Sequence, residues 1–332
     1  MIENTKVVLR TRPRGEPRES DFGFELEKVA DPAPGQVLIE VSHISIDAFI
    51  RTTLDEGAFH GTIPLGGTLP ALGVGRVVAS ASDDLAPGDW VSGVTLAQTH
   101  ALMPAAMYRK IDISIAKPST YLGVLGMTTG LTAYFGLLEV AQVHAGETVV
   151  VSGAAGAVGS VACQLAKIHG ARVIGIAGGP HKLRYLTETV GVDAAIDYKN
   201  EDVAARLDAL APRRIDVYFD NVGGELLDLV LDRLAIGARV SICGAISQYA
   251  HLNDVRGPKL YLRLAERNAC MRGFTVDHYA SRFAEAIPRL VGWMNVGRLS
   301  LHEQIESGIA RFPAALDTLF KGGHVGKLLV KP

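Results

Sequence analysis

The run Val149-Val150-Val151-Ser152-Gly153-Ala154-Ala155-Gly156-Ala157-Val158-Gly159 restricts the fold of this chain more than any other stretch. An unbroken apolar strand enters a turn of glycine and alanine and continues into an alanine-rich helix around Val158–His169. Continuous apolar strands belong to parallel sheets covered on both faces. Gly153, Gly156 and Gly159, with Ala154, Ala157 and Val158 between them, let backbone approach an anion at a helix start. The first amides there lack intrahelical partners. A dinucleotide pyrophosphate suits such a turn when it opens a strand–helix series. A tight structural turn serving close helix packing is the plainer alternative. The apolar stretch 148–166 contains Ser152, Ser160, Gln164 and several glycines, so it reads as strand, turn and helix rather than a membrane span.

That series is present. Strands are predicted at Thr148–Ser152, Ala171–Ala177, Ala194–Asp197, Ile215–Asp220, Ala238–Cys243 and Cys270–Val276, with helical stretches between them, one opening at Pro180. The alternation predicts an α/β protein with a doubly wound parallel sheet. Before it, from about Lys6 to Ala116, the texture is of short strands and turns, as at Val37–Val41, Val74–Val78 and the turn Pro87-Gly88-Asp89. The tail from Gly322 ends in Leu328-Leu329-Val330 and is expected to return to the first domain as a strand.

The end of the second strand bears on which dinucleotide is bound. NAD-binding sheets place a carboxylate there for the ribose hydroxyls. Here Ala177-Gly178-Gly179-Pro180-His181-Lys182 offers glycines and a cation, which points to the 2′-phosphate of NADP. Lys182 as a solvated first-turn lysine is the alternative. Asp220-Asn221-Val222-Gly223-Gly224 and Cys243-Gly244-Ala245-Ile246-Ser247-Gln248-Tyr249 end later strands. Ligands of such sheets lie at those carboxyl edges, and small residues leave room there. Ordinary glycine turns and a packing role for Tyr249 remain open at this point.

Composition excludes other classes. A net charge of -2 gives no case for nucleic acid or anionic membrane. The polar, arginine-rich N-terminus carries no secretory core. Cys163, Cys243 and Cys270 are scattered and form no CxxC pair, and the histidines form no HExxH, so neither a disulfide framework nor a metal site is expected. A reducing cytoplasm is the expected setting.

These motifs, with Leu131-Thr132-Ala133-Tyr134-Phe135-Gly136 and Gly326-Lys327, make the chain resemble the prostaglandin/leukotriene reductase and double-bond reductase branch of the medium-chain dehydrogenase/reductase superfamily over nearly its whole length. The resemblance implies a GroES-like β-rich substrate domain, residues 1–125 and 298–332, around a Rossmann NADP-binding domain, residues 126–297. It implies NADPH contacts at Met127 and Thr132, along Gly153–Gly159, at Gly178, Lys182 and Tyr198, and at Asn221. Cys243, Gly244, Ile246, Phe274 and Val276 would surround the nicotinamide, with a further contact at His324. It also implies a homodimer through the Rossmann domains. Zinc-dependent relatives use an early cysteine and a Gly-His-Glu segment; here Ser45-Ile46-Asp47 and Ala71-Leu72-Gly73-Val74-Gly75 supply no such ligands. The family's Asp-Pro-Tyr-Met-Arg reads Asp47-Ala48-Phe49-Ile50-Arg51. Met127-Thr128-Thr129-Gly130 is one residue longer than usual, and His324 replaces an asparagine.

The expected chemistry is NADPH-dependent, zinc-independent reduction of the carbon–carbon double bond of a small α,β-unsaturated aldehyde or ketone. Hydride goes to the β-carbon, Tyr249 donates to the developing enolate oxygen, and water or another donor delivers a proton to the α-carbon. The alternatives are quinone reduction in the same site, and a cofactor-binding protein of this fold with little catalysis.

Overall fold

The computed structural model of the chain describes residues 2–56 and 60–332, in two units: residues 1–123 with 303–332, and residues 124–302.

In the second unit six parallel strands run in the spatial order Ala194–Asp197, Arg172–Ala177, Thr148–Ser152, Ile215–Asp220, Leu234–Ile242 and Cys270–Gly273. Thr148–Ser152 and Ile215–Asp220 are neighbours although two strands intervene in sequence. The winding therefore reverses between them, and a crevice opens at their carboxyl ends. The central strands are buried, with Val149, Val150 and Val151 fully enclosed. One core joins Val150, Ile174, Ile196 and Tyr218 to Leu227 and Val230 of the helix Gly224–Leu231. The helix Ala157–Ile168 follows the first of these strands, and Asp202 caps Val203–Leu210 through the Ala205 amide at 3.1 Å.

The first unit is β-rich. Its seven-stranded sheet centres on Gln36–Ser45, which pairs antiparallel with Leu72–Ser80, His100–Pro104 and the C-terminal strand Lys327–Lys331. That last strand also pairs, in parallel, with Glu303–Ser307. A hairpin of Glu3–Leu9 and Phe22–Lys28 forms a second sheet. Val7, Val37 and Ile39 share a core with Phe312, Leu316, Leu328 and Val330, so residues from both ends of the chain build it. At the start of the strand Lys327–Lys331 the Lys327 ammonium lies 2.7 Å from Asp47 Oδ1, and both side chains are buried. Ser45 Oγ donates to the other oxygen of Asp47.

Among the described residues no helix is long and apolar enough to cross a membrane.

Candidate active site

The glycine turn is shaped by contacts that tolerate no side chain. Gly153 has φ +57°, a region L side chains rarely enter, and its carbonyl accepts from the Gly156 amide at 3.0 Å. A Cβ on Gly159 would stand 2.3 Å from Gly153 O and 2.8 Å from Ala154 Cα. The helix Ala157–Ile168 is thereby drawn onto its own entry turn, with Ala157, Val158 and Gly159 as its first residues. First-turn amides have no carbonyl four residues back, so this end can receive an anion.

Across the switch point the turn is tied to the next strand end. Ser152 Oγ donates to Asp220 Oδ1 at 2.9 Å and accepts from the Asn221 amide at 2.9 Å; Asn221 Nδ2 donates to Ser152 O at 2.7 Å. The buried Asp220 Oδ1 also accepts from Tyr218 OH, at 2.8 Å, and from the Val222 and Gly223 amides, both at 3.0 Å. Its backbone carbonyl accepts from the Cys243 and Gly244 amides at 2.9 and 3.1 Å. The Ile246 amide bonds Asn221 O at 3.2 Å, and Ser247 Oγ bonds Val222 O at 2.6 Å. One aspartate thus organises the two small-residue turns that the sequence singled out.

Tyr249 closes that second turn. Its phenol oxygen accepts the Ala245 amide at 3.2 Å and lies 2.9 Å from where a Cβ on Gly244 would be. Burial raises its pKa above the usual phenol value, so the proton stays on. Burial, with the Asp220 charge adding to it, pushes the Cys243 thiol up to about 12 and keeps it neutral. Phe274 packs its ring against the helical stretch at Gly136, where a Cβ would meet Phe274 Cζ at 2.3 Å. Val276, buried, follows it. Thr132 Oγ1 donates to Met127 O at 2.7 Å, and Gly130 abuts the Val124 carbonyl so closely that no side chain fits.

At the far side of the glycine turn, Gly178 and Gly179 follow Arg172–Ala177. A Cβ on Gly178 would stand 2.8 Å from Tyr198 Cε1 and 2.9 Å from Lys199 Cε. Tyr198 donates its amide to Ala177 O at 3.1 Å. Lys182, half-buried, has its pKa lowered first by burial and then by the Lys199 charge. His324 lies in the first unit, buried, three residues before Lys327.

Ser152 and Asp220 stand inside the sequence motifs without a role of their own there, and Asp197 and Lys199 outside them; their contacts join separate strand ends. Among the described residues no three His, Cys, Asp or Glu side chains are grouped as metal ligands would be.

The family described as zinc-binding dehydrogenase matches residues 157–292, and that described as N-terminal domain of oxidoreductase matches residues 5–111. The chain is 35% identical over 334 residues to the NADPH-dependent curcumin reductase of Escherichia coli (strain K12), covering 99% of this chain and 96% of that one. It is 33% identical over 336 residues to the 2-alkenal reductase (NADP(+)-dependent) of Nicotiana tabacum, covering 99% and 97%. The crystal structure of CurA from Vibrio vulnificus in complex with NADPH superimposes with a TM-score of 0.92 at 33% identity, over 98% of each chain.

Proposed function

This chain belongs to the double-bond reductase branch of the medium-chain dehydrogenase/reductase superfamily, and on that premise we propose that it reduces the carbon–carbon double bond of α,β-unsaturated aldehydes or ketones without zinc. It is an NADP-dependent oxidoreductase.

The site fits the cofactor at both charged ends. The cradle around Gly153, Gly156 and Gly159, which a single Cβ would fill, suits a pyrophosphate. Lys182, on the short helix Pro180–Arg184 that follows Gly178 and Gly179, suits a 2′-phosphate, and Asn221, pinned by Ser152, suits the nicotinamide side. When bound, NADPH supplies the hydride that goes to the β-carbon.

The observation that carries the reading is the hydrogen bond from Ala245 N–H to Tyr249. It occupies the phenol oxygen as acceptor and leaves the phenol proton to donate. An O–H whose oxygen already accepts is polarised toward donation. Tyr249 therefore donates to the carbonyl oxygen of the acceptor, where charge builds as the enolate forms, and a proton delivered to the α-carbon from water completes the saturated product. It remains an acid because burial holds its proton in place, and the neutral Cys243 competes as neither base nor nucleophile. Positioning by the two turns that Asp220 ties together supplies the rest.

The test is an NADPH-oxidation screen of the purified protein over enals, enones, nitroalkenes and quinones, with products identified. A saturated aldehyde or ketone from an enal or enone supports the reading; an allylic alcohol, or turnover with quinones alone, overturns it.

A further inference from the structure

Two lysines, rather than one, converge on the turn after the second strand of the sheet. Lys199 reaches Gly178 with its Cε, at 2.9 Å from the position a Cβ would take there, on the same glycine that Tyr198 covers. The placement is built. Asp197 Oδ1 accepts the Gly179 amide at 2.8 Å and the Lys199 amide at 3.0 Å, so one carboxylate oxygen clamps the two turns together.

The neighbouring carboxylates are committed elsewhere. Asp197 is spent on those amides and on Asn200 Nδ2 at 2.8 Å. Glu201 serves the Asp197 amide and the Arg206 guanidinium, and Asp202 caps its helix. Among the described residues neither Lys182 nor Lys199 has a carboxylate partner within salt-bridge distance, and Lys199 depresses the pKa of Lys182 after burial does. The Asp197 carboxylate attracts Lys199, while Lys182 is left with the repulsion of Lys199, which an anion between the two lysines would relieve.

We propose that Lys199 is a second cation of the adenosine 2′-phosphate site, a residue that sets the preference for NADP over NAD. This rests on the NADPH reading above. The two ammonium groups take opposite sides of one dianion, and Gly178 is small because Tyr198 and Lys199 must lie against it.

The probes are 2′,5′-ADP and 5′-AMP, which differ by that phosphate alone, titrated calorimetrically into wild type, Lys199→Gln, Lys199→Arg and Lys182→Gln. Glutamine keeps most of the stem over Gly178 and removes the charge. Lys199→Gln is expected to weaken 2′,5′-ADP about 5- to 10-fold, the lower end of a charge-assisted contact because the group is exposed. 5′-AMP should stay within about twofold. Lys199→Arg should restore the affinity. The ligand-free thermal midpoint should change little, since the repulsion on Lys182 and the attraction to Asp197 are lost together.

Equal weakening of both probes would assign Lys199 to loop support and overturn the proposal. So would unchanged 2′,5′-ADP binding in Lys199→Gln alongside a loss in Lys182→Gln, an outcome that leaves the NADP site standing. Wild type binding both probes equally would instead remove the NADP reading itself.

Discussion

The amide of Ala245 donates to the phenol oxygen of Tyr249, four residues on, across 3.2 Å. The ring is thereby folded back over Gly244, and its oxygen is fixed beside the turn that Asp220 anchors. Tyr249→Phe keeps the ring and removes one donor. Turnover is expected to fall about 10- to 1000-fold, the range for losing one oxyanion donor. The Michaelis constant for NADPH should stay within about twofold. Single-turnover hydride transfer is the measurement, because slow product release hides a chemical defect; an unchanged rate makes Tyr249 a packing residue.

The pH dependence follows from the raised pKa of the same phenol. The donor form is the protonated one, so the rate is held below the pKa and lost as pH rises through it. Burial moves that loss upward. The wild-type single-turnover rate should show no alkaline limb from this group below the ordinary phenol value of about 10. A limb near pH 8 that Tyr249→Phe abolishes would contradict the burial seen here.

Lys182→Ala should raise the Michaelis constant for NADPH about 10- to 100-fold, the scale of one partly buried charge-assisted contact. NADH kinetics should barely change. Steady-state kinetics with both cofactors decide it, and equal losses would mean that Lys182 supports the fold.

Gly159→Ala drives a methyl group into Gly153 O at 2.3 Å. The first helical turn must move, at a cost of about 1–3 kcal/mol, and the anion cradle moves with it. Gly191→Ala is the control. Its φ of +77° costs about 1–2 kcal/mol, but nothing crowds the site. Thermal midpoints should fall for both, while calorimetric NADPH affinity should fall only for Gly159→Ala.

Lys327→Met strands the buried carboxylate of Asp47 and should destabilise the protein by about 3–5 kcal/mol in denaturant unfolding. Adding Asp47→Leu removes the orphaned charge and should recover most of that loss. A double variant as unstable as the single one would show that shape, rather than charge, governs this site.

The strand–turn–helix at Val149–Gly159 is legible in sequence because its signals are local: a continuous apolar run and small residues at fixed spacing. Other features are not. The strand Leu234–Ile242 passes through Gly237 at φ +77°, with a shift in register against Ile215–Asp220, so its first residues look like a turn and a strand beginning at Ala238 is the natural reading. The last strand stops at Gly273, short of the expected Val276, because Phe274 leaves the sheet to pack at Gly136. Glu303–Ser307 is polar and its one apolar residue, Ile305, is exposed, so no apolar alternation marks it. Ser152 and Asp220 meet across 68 positions, and Lys199 reaches Gly178 only because Asp197 clamps two turns. Such pairings follow from strand order and leave no periodic trace.

The placement of Lys327–Lys331 between Glu303–Ser307 and Gln36–Ser45 has a consequence for synthesis on the ribosome. The chain is made from one end, and domains fold largely as units when their residues have emerged. Residues 124–302 can complete their sheet before residues 303–332 have emerged. The strand Gln36–Ser45, made early, waits for a partner from far downstream, and Asp47 waits with it for Lys327, 280 positions on. A nascent chain stalled just before Gly326 therefore carries a finished parallel sheet and an unfinished β-rich unit. Limited proteolysis of such a stalled chain would cut first among the residues made first.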